Sequence, residues 1–249
     1  MESLIGVSPV ELALVFIVVA IASLLRSFTG FGFALAAVPG FSLIFPPTDA
    51  VVLSASLALT ISLFSLPTYW QDASIKPMLP MLTAAVLATF VGASLLSYIS
   101  VRTFQLLVSA SIFFALFGLL LNRSSSRRRS LPLECVAGAA SGLMNGVLAI
   151  PGPPVIAYAM LTQPDPVRSR AMLMVFFMLS GFIALVSFSF AGFVRKEIFL
   201  LFVLSLPTLY VFDKLGYVLF LRYSDKFYRT VAMWLLFVMG LSIGVNAWF

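Results

Sequence analysis

Gly142 to Pro166 reads GLMNGVLAIPGPPVIAYAMLTQPDP, and no other segment constrains the architecture as strongly. Its residues are apolar enough for the centre of a bilayer, yet Pro151, Gly152, Pro153 and Pro154 interrupt it. Proline lacks the backbone N–H and its ring clashes with the preceding turn, so a helix cannot run unbroken through all four positions. In hydrocarbon, an opened backbone survives only where protein or a water-filled cavity surrounds it. The break therefore predicts a polar site inside a membrane protein, of the kind that discontinuous helices form. A weaker copy, SFTGFGFALAAVPGFSLIFPP, lies at Ser27 to Pro47, about 120 residues earlier.

Composition sets the class. The chain has 249 residues, of which 61% are hydrophobic and 10% charged. A soluble domain cannot hide that much apolar surface, whereas lipid solvates it. The apolar runs are continuous instead of alternating, which predicts helices and not a barrel. The lone Cys135 excludes an intramolecular disulfide and a cysteine metal cluster. The absence of His removes the commonest transition-metal ligand and proton shuttle, so neither a metal nor another cofactor is expected. The net charge of +6 is read as topological, with Lys and Arg gathered in cytoplasmic loops, and not as nucleic-acid binding.

In order, the apolar runs are Val7–Leu25, Phe33–Phe45, Asp49–Pro67, Pro77–Ile99, Arg102–Leu121, Leu131–Ile150, Val155–Leu161, Ala171–Phe193, Ile198–Leu221 and Phe227–Trp248. The basic loop Arg123 to Arg129, RSSSRRR, divides the chain into an N-terminal repeat, 1–122, and a C-terminal repeat, 131–249. Pro46-Pro47-Thr48-Asp49 aligns with Gln163-Pro164-Asp165-Pro166, Lys76 with Lys196, Ser100-Val101-Arg102 with Ser224-Asp225-Lys226, and Gly118 with Gly240. One offset shared by unlike landmarks points to an internal duplication.

Charge counting orients the halves. If each half opens with a re-entrant hairpin followed by three spans, Lys76, Arg123, Arg127, Arg128, Arg129, Arg168, Arg170, Arg222, Lys226 and Arg229 fall inside, against Arg102, Arg195 and Lys196 outside. Four full crossings per half would leave the two sides nearly equal. The positive-inside rule favours the hairpins. The expectation is an all-α integral membrane protein of two inverted repeats, each a broken hairpin plus three transmembrane helices. The basic loop is then cytoplasmic and both termini lie outside.

The breaks GFGFALAAVP (Gly30 to Pro39) and SGLMNGVLAIPGPPVIAYAML (Ser141 to Leu161), each opening one half of a small duplicated membrane protein, resemble the TauE/SafE sulfite exporter family. Phe33 and Ala34 stand where that family's run of glycines would continue, and Pro151 replaces a glycine in its second motif. The resemblance implies transport of a sulfur oxyanion or organosulfonate across a bacterial inner membrane, in some members with proton coupling.

The residues point to an anion on their own account. Two hairpins meeting near mid-membrane would present half-helix N-termini, with unpaired N–H groups and positive dipole ends, to an oxyanion. Gly30, Gly32, Gly152 and Pro153 would shape that backbone, and Ser27, Thr29, Asn145 and Tyr158 would add neutral donors. The competing reading is that the glycines serve close helix packing. Arg26 can engage two oxyanion oxygens at once, or else snorkel to an interface. Asp213, with Lys214 beside it, is a candidate for ion coupling, protons above all. The alternative puts both in an interfacial turn before Gly216. The phenylalanines of the run Ala171–Phe193 are read as packing and lipid contact, and Tyr69, Trp70 and Trp248 as interfacial anchors.

These features predict a secondary transporter. A passive channel of the same fold is the alternative. A membrane-embedded enzyme or scaffold is the further alternative; an enzyme would need a nucleophile with a base, paired carboxylates or a metal site, and the charged residues expected inside the membrane are only Arg26, Asp213 and Lys214.

Overall fold

The structure is a computed structural model that describes residues 7–29, 32–72, 75–120, 129–163, 165–222 and 225–248. Gly30 and loop positions 123–128 lie outside these residues, as does the side chain of Thr29. Among the described residues there are ten α-helices and no strand. They are α1 (Pro9–Thr29), α2 (Phe33–Ser42), α3 (Pro47–Ser65), α4 (Leu79–Leu96), α5 (Val101–Leu120), α6 (Leu131–Leu148), α7 (Gly152–Thr162), α8 (Pro166–Phe190), α9 (Lys196–Arg222) and α10 (Asp225–Asn246). Each half runs long, short, long, long, long, and the aligned landmarks Pro47 and Pro166, then Val101 and Asp225, open equivalent helices.

The helix starts are written locally. Proline occupies the first or second position of α3, α4, α6, α7 and α8, where its missing N–H would have no intrahelical partner in any case. Ser8 and Glu11 cap α1 reciprocally: the Ser8 N–H donates to Glu11 Oε2 at 2.7 Å and the Glu11 N–H to Ser8 Oγ at 3.2 Å. The Asp165 carboxylate accepts from the Val167 N–H at 2.9 Å at the head of α8.

Seven helices among the described residues are long and apolar enough to cross a membrane. The helices α2 and α7 are not, at 10 and 11 residues. At 1.5 Å per residue each reaches roughly 15 Å, about half of a hydrocarbon core. Protein nonetheless covers them: α2 is almost wholly buried, and no residue of α7 is exposed.

The breaks are tighter than the proline pattern suggests. The helix α6 ends at Leu148, Ala149 takes φ 54°, and α7 already begins at Gly152. Pro153 and Pro154 therefore sit in the first turn of α7, and the opened backbone is confined to Ala149, Ile150 and Pro151. In the first half, Gly32 takes φ 104° immediately before α2, and Pro39 is absorbed within that helix.

Packing fixes the directions. Gly138, Gly142 and Gly146 lie at successive turns of one face of α6, where a Cβ would collide with the carbonyl oxygens of Met81, Ala85 and Thr89 of α4. Both sets ascend together, so α4 and α6 run parallel with their backbones almost touching. In contrast α3 and α8 run antiparallel. Asp49 meets Arg195 near one end, Leu59 faces Gly181, and Tyr69 meets Met178 beyond the other end of α3. The pair α5 and α10 is antiparallel too: Arg102 lies 4.7 Å over Trp248, Ser109 Oγ donates to the Gly240 carbonyl at 2.8 Å, and Phe113 packs on Phe237.

These pairings survive exchange of the halves. The contact α1 with α9 answers α6 with α4, α3 with α9 answers α8 with α4, and α2 with α10 answers α7 with α5. The helices α3 and α8, and likewise α5 and α10, meet their own counterparts.

Candidate functional site

The two breaks come together. A cavity of about 60 Å³ lies between them, at least four times the ~10–15 Å³ that one water needs. Gly32, Phe33, Ala34 and Leu35 line it from the head of α2, and Ala149, Ile150, Pro151 and Gly152 from the α6–α7 break. Arg26 of α1 and Asn145 of α6 also line it, and α3 and α8 close it with Ala55, Ala58, Ser62, Met174, Phe177 and Gly181.

The two helix heads differ as donors. The first N–H groups of a helix have no intrahelical acceptor, and the first three positions of α2, Phe33 to Leu35, all carry one. At α7 the second and third positions are Pro153 and Pro154, so among the first three only Gly152 has an N–H. The glycines differ as well. Gly32 is required by its left-handed backbone, which an L side chain adopts only with strain. Gly152 has no such φ, and a Cβ there would meet only Ile156 and the Phe177 ring at ordinary contact distances of 3.4 and 3.8 Å.

Arg26 is turned inward. Its side chain is 6% exposed, Nη1 donates to Ser65 Oγ at 3.1 Å, and the same nitrogen lies 3.6 Å from Asp213 Oδ1. It is the single charged residue among the described residues lining the cavity. Asn145 is buried, with Nδ2 donating to the Ser180 carbonyl at 2.9 Å and to Thr89 Oγ1 at 3.4 Å, so it ties α6 to α8 and α4 beside the cavity.

Other expected site residues stand elsewhere. Ser27 faces α9, with Oγ 2.9 Å from both the carbonyl oxygen and Oδ1 of Asp213. Tyr158 donates to Glu134 Oε1 at 2.8 Å, within a separate cluster of α4, α6, α7 and α8 residues. Pro153 is buried in the first turn of α7 and is not among the residues lining the cavity. Thr29 ends α1 by its backbone. The interfacial-turn reading of Asp213 and Lys214 is corrected: α9 continues without a break from Lys196 to Arg222, through Gly216, and both residues are helical. They diverge around it, Asp213 toward Arg26 and Lys214 outward over the Tyr210 ring at 5.8 Å. Two further acids are buried in first turns, Asp49 of α3 and Glu134 of α6. Sequence reasoning missed Ser62 and Ser65, since serine is common in this chain and nothing local marks these two.

A cavity carrying one guanidinium, two helix heads and apolar walls, set among helices long and apolar enough to cross a membrane, is consistent with a polytopic α-helical membrane transporter. The sequence model of the family described as sulfite exporter TauE/SafE matches residues 15–243, and the chain belongs to that family. Comparison with curated proteins and with solved structures found no match.

Proposed function

We propose that this protein is a secondary transporter that moves a sulfur oxyanion or organosulfonate across the bacterial inner membrane by alternating access. The observation that carries this is the meeting of both helix breaks with Arg26 in one cavity. An oxyanion there would gain a charge-assisted bond from the guanidinium and backbone donors from the head of α2, while apolar walls exclude competing water. Arg26, Gly32, Asn145 and Gly152 are the residues we assign to the site.

The inverted-repeat reading draws its support from helix directions. A two-fold axis along the membrane normal would carry α3 onto a parallel α8. The antiparallel course of α3 against α8, and of α5 against α10, instead fits an axis in the membrane plane. Such an axis sends α2 and α7 into the bilayer from opposite sides as re-entrant half-helices. It also leaves Lys76, the basic loop, Arg168 and Arg170 on the cytoplasmic side and Arg102, Arg195 and both termini outside. Rocking of one half against the other would then expose the cavity to each face in turn.

The test is binding on purified protein to sulfite, sulfate, thiosulfate and sulfoacetate, with a cation control, followed by uptake into vesicles. Saturable movement against a gradient is expected. Flux that never opposes a gradient would make the protein a channel, and preference for the cation would overturn the anion site.

A further inference from the structure

We infer that Asp213 and the transported anion are alternative partners of Arg26, so that each anion bound is accompanied by one proton taken up at Asp213. The inference rests on reading the cavity as an anion site.

Arg26 belongs to two environments at once. Its guanidinium lines the cavity, and its Nη1 lies 3.6 Å from Asp213 Oδ1. A buried cation needs a counter-anion, and Asp213 on the neighbouring helix supplies it. An arriving oxyanion puts two negative groups on one cation in a medium of low dielectric. The group that can titrate then gives up its charge. Asp213 can do so because protein does not seal it, its side chain being 20% exposed, and the proton arrives from the aqueous face through which the anion enters. One O–H bond forms at Asp213 as one bond to hydrogen breaks in the hydronium ion or buffer acid that supplies the proton, and for a singly charged anion the net charge of the protein with its ligand is unchanged.

Ser27 suits both states of the carboxyl group. Its Oγ lies 2.9 Å from Asp213 Oδ1 and 2.9 Å from the Asp213 carbonyl oxygen. With Asp213 ionised, the Ser27 hydroxyl donates to the carboxylate. With Asp213 protonated, the new O–H donates to Ser27 Oγ, whose own proton turns to the carbonyl.

Few other charges bear on the pair. Lys214, next on α9, extends over Tyr210. Arg170 of α8 and Tyr69 act electrostatically on Arg26. The helix α3, which also packs on α9, carries one ionisable residue, Asp49, and this is held by Arg195 at the far end.

The test is calorimetric binding of thiosulfate and of sulfoacetate, neither of which changes charge near neutral pH, in buffers of differing ionisation enthalpy. Wild-type protein should take up about one proton per anion near neutral pH, its affinity falling by up to about tenfold per pH unit on the alkaline side. Asp213→Asn should bind with no proton uptake, with an affinity at least equal to wild type and flat with pH. Ser27→Ala should keep uptake but shift its pH midpoint. Binding without proton uptake by the wild type, or uptake that persists in Asp213→Asn, overturns the exchange while leaving the anion site standing. No binding of either anion or of sulfite removes the site and the exchange with it.

Discussion

Gly32 and Gly152 look alike in sequence and do different work. The backbone of Gly32 is left-handed, so Gly32→Ala should destabilise the protein by about 1–2 kcal/mol, read as a lowered melting temperature in detergent. Gly152 has room for a methyl group, so Gly152→Ala should melt as wild type does and lose anion affinity, because the methyl occupies the cavity edge. Equal loss of stability in both variants would contradict this division. Arg26→Lys keeps the charge and loses the planar fork, and should weaken binding by about tenfold or more without unfolding. These roles were legible in part. Proline and glycine chemistry located both breaks, and the cost of a charge in an apolar run singled out Arg26. The sign of φ at Gly32, the partner of Arg26 and the turn of Tyr158 away from the cavity toward Glu134 were not legible, since each depends on which helix lies opposite.

At the scale of elements, the close pair is α4 with α6. Gly138, Gly142 and Gly146 leave no space above the carbonyls of Met81, Ala85 and Thr89. Gly142→Ala should force the helices apart and cost about 1–3 kcal/mol, measured as loss of thermal stability with the oligomeric state held constant. A neutral result would mean that the helices slide freely past each other. Close helix packing is thus the work of Gly138, Gly142 and Gly146, while Gly32 and Gly152 border the cavity. The sequence carries both uses in the same residue type, and the packing glycines of α6 are marked by their four-residue repeat. Helix limits were read within a few residues almost everywhere, because each run is bounded by proline or charge. The exceptions are the starts of α7 and α8, placed too late by three and five residues, since Pro153, Pro154 and Pro166 serve as first-turn residues.

At the scale of the molecule, two ion pairs among the described residues join the halves: Arg26 with Asp213, and Asp49 with Arg195 at 3.2 Å. In the orientation we propose, the second lies on the outer side. Arg195→Ala should loosen that side, and in a Cys135→Ser background a cysteine placed at Ala58 should react faster with an impermeant thiol reagent added from outside. Unchanged labelling would mean that Asp49 and Arg195 do not restrain the outer face. The like order of helices in the two halves was legible from landmarks in shared order. Which helices touch was not, since no local pattern distinguishes a partner in the same half from one in the other.

The tie between α1 and α9 spans 186 residues of chain. At a synthesis rate of about 5–20 residues per second, Arg26 leaves the ribosome roughly ten seconds or more before its carboxylate exists. During biogenesis the first helix must therefore enter the bilayer carrying a bare guanidinium, or linger in the insertion machinery until the ninth helix arrives. A nascent chain arrested after α8 should leave that arginine open to water, and release of the complete chain should close it.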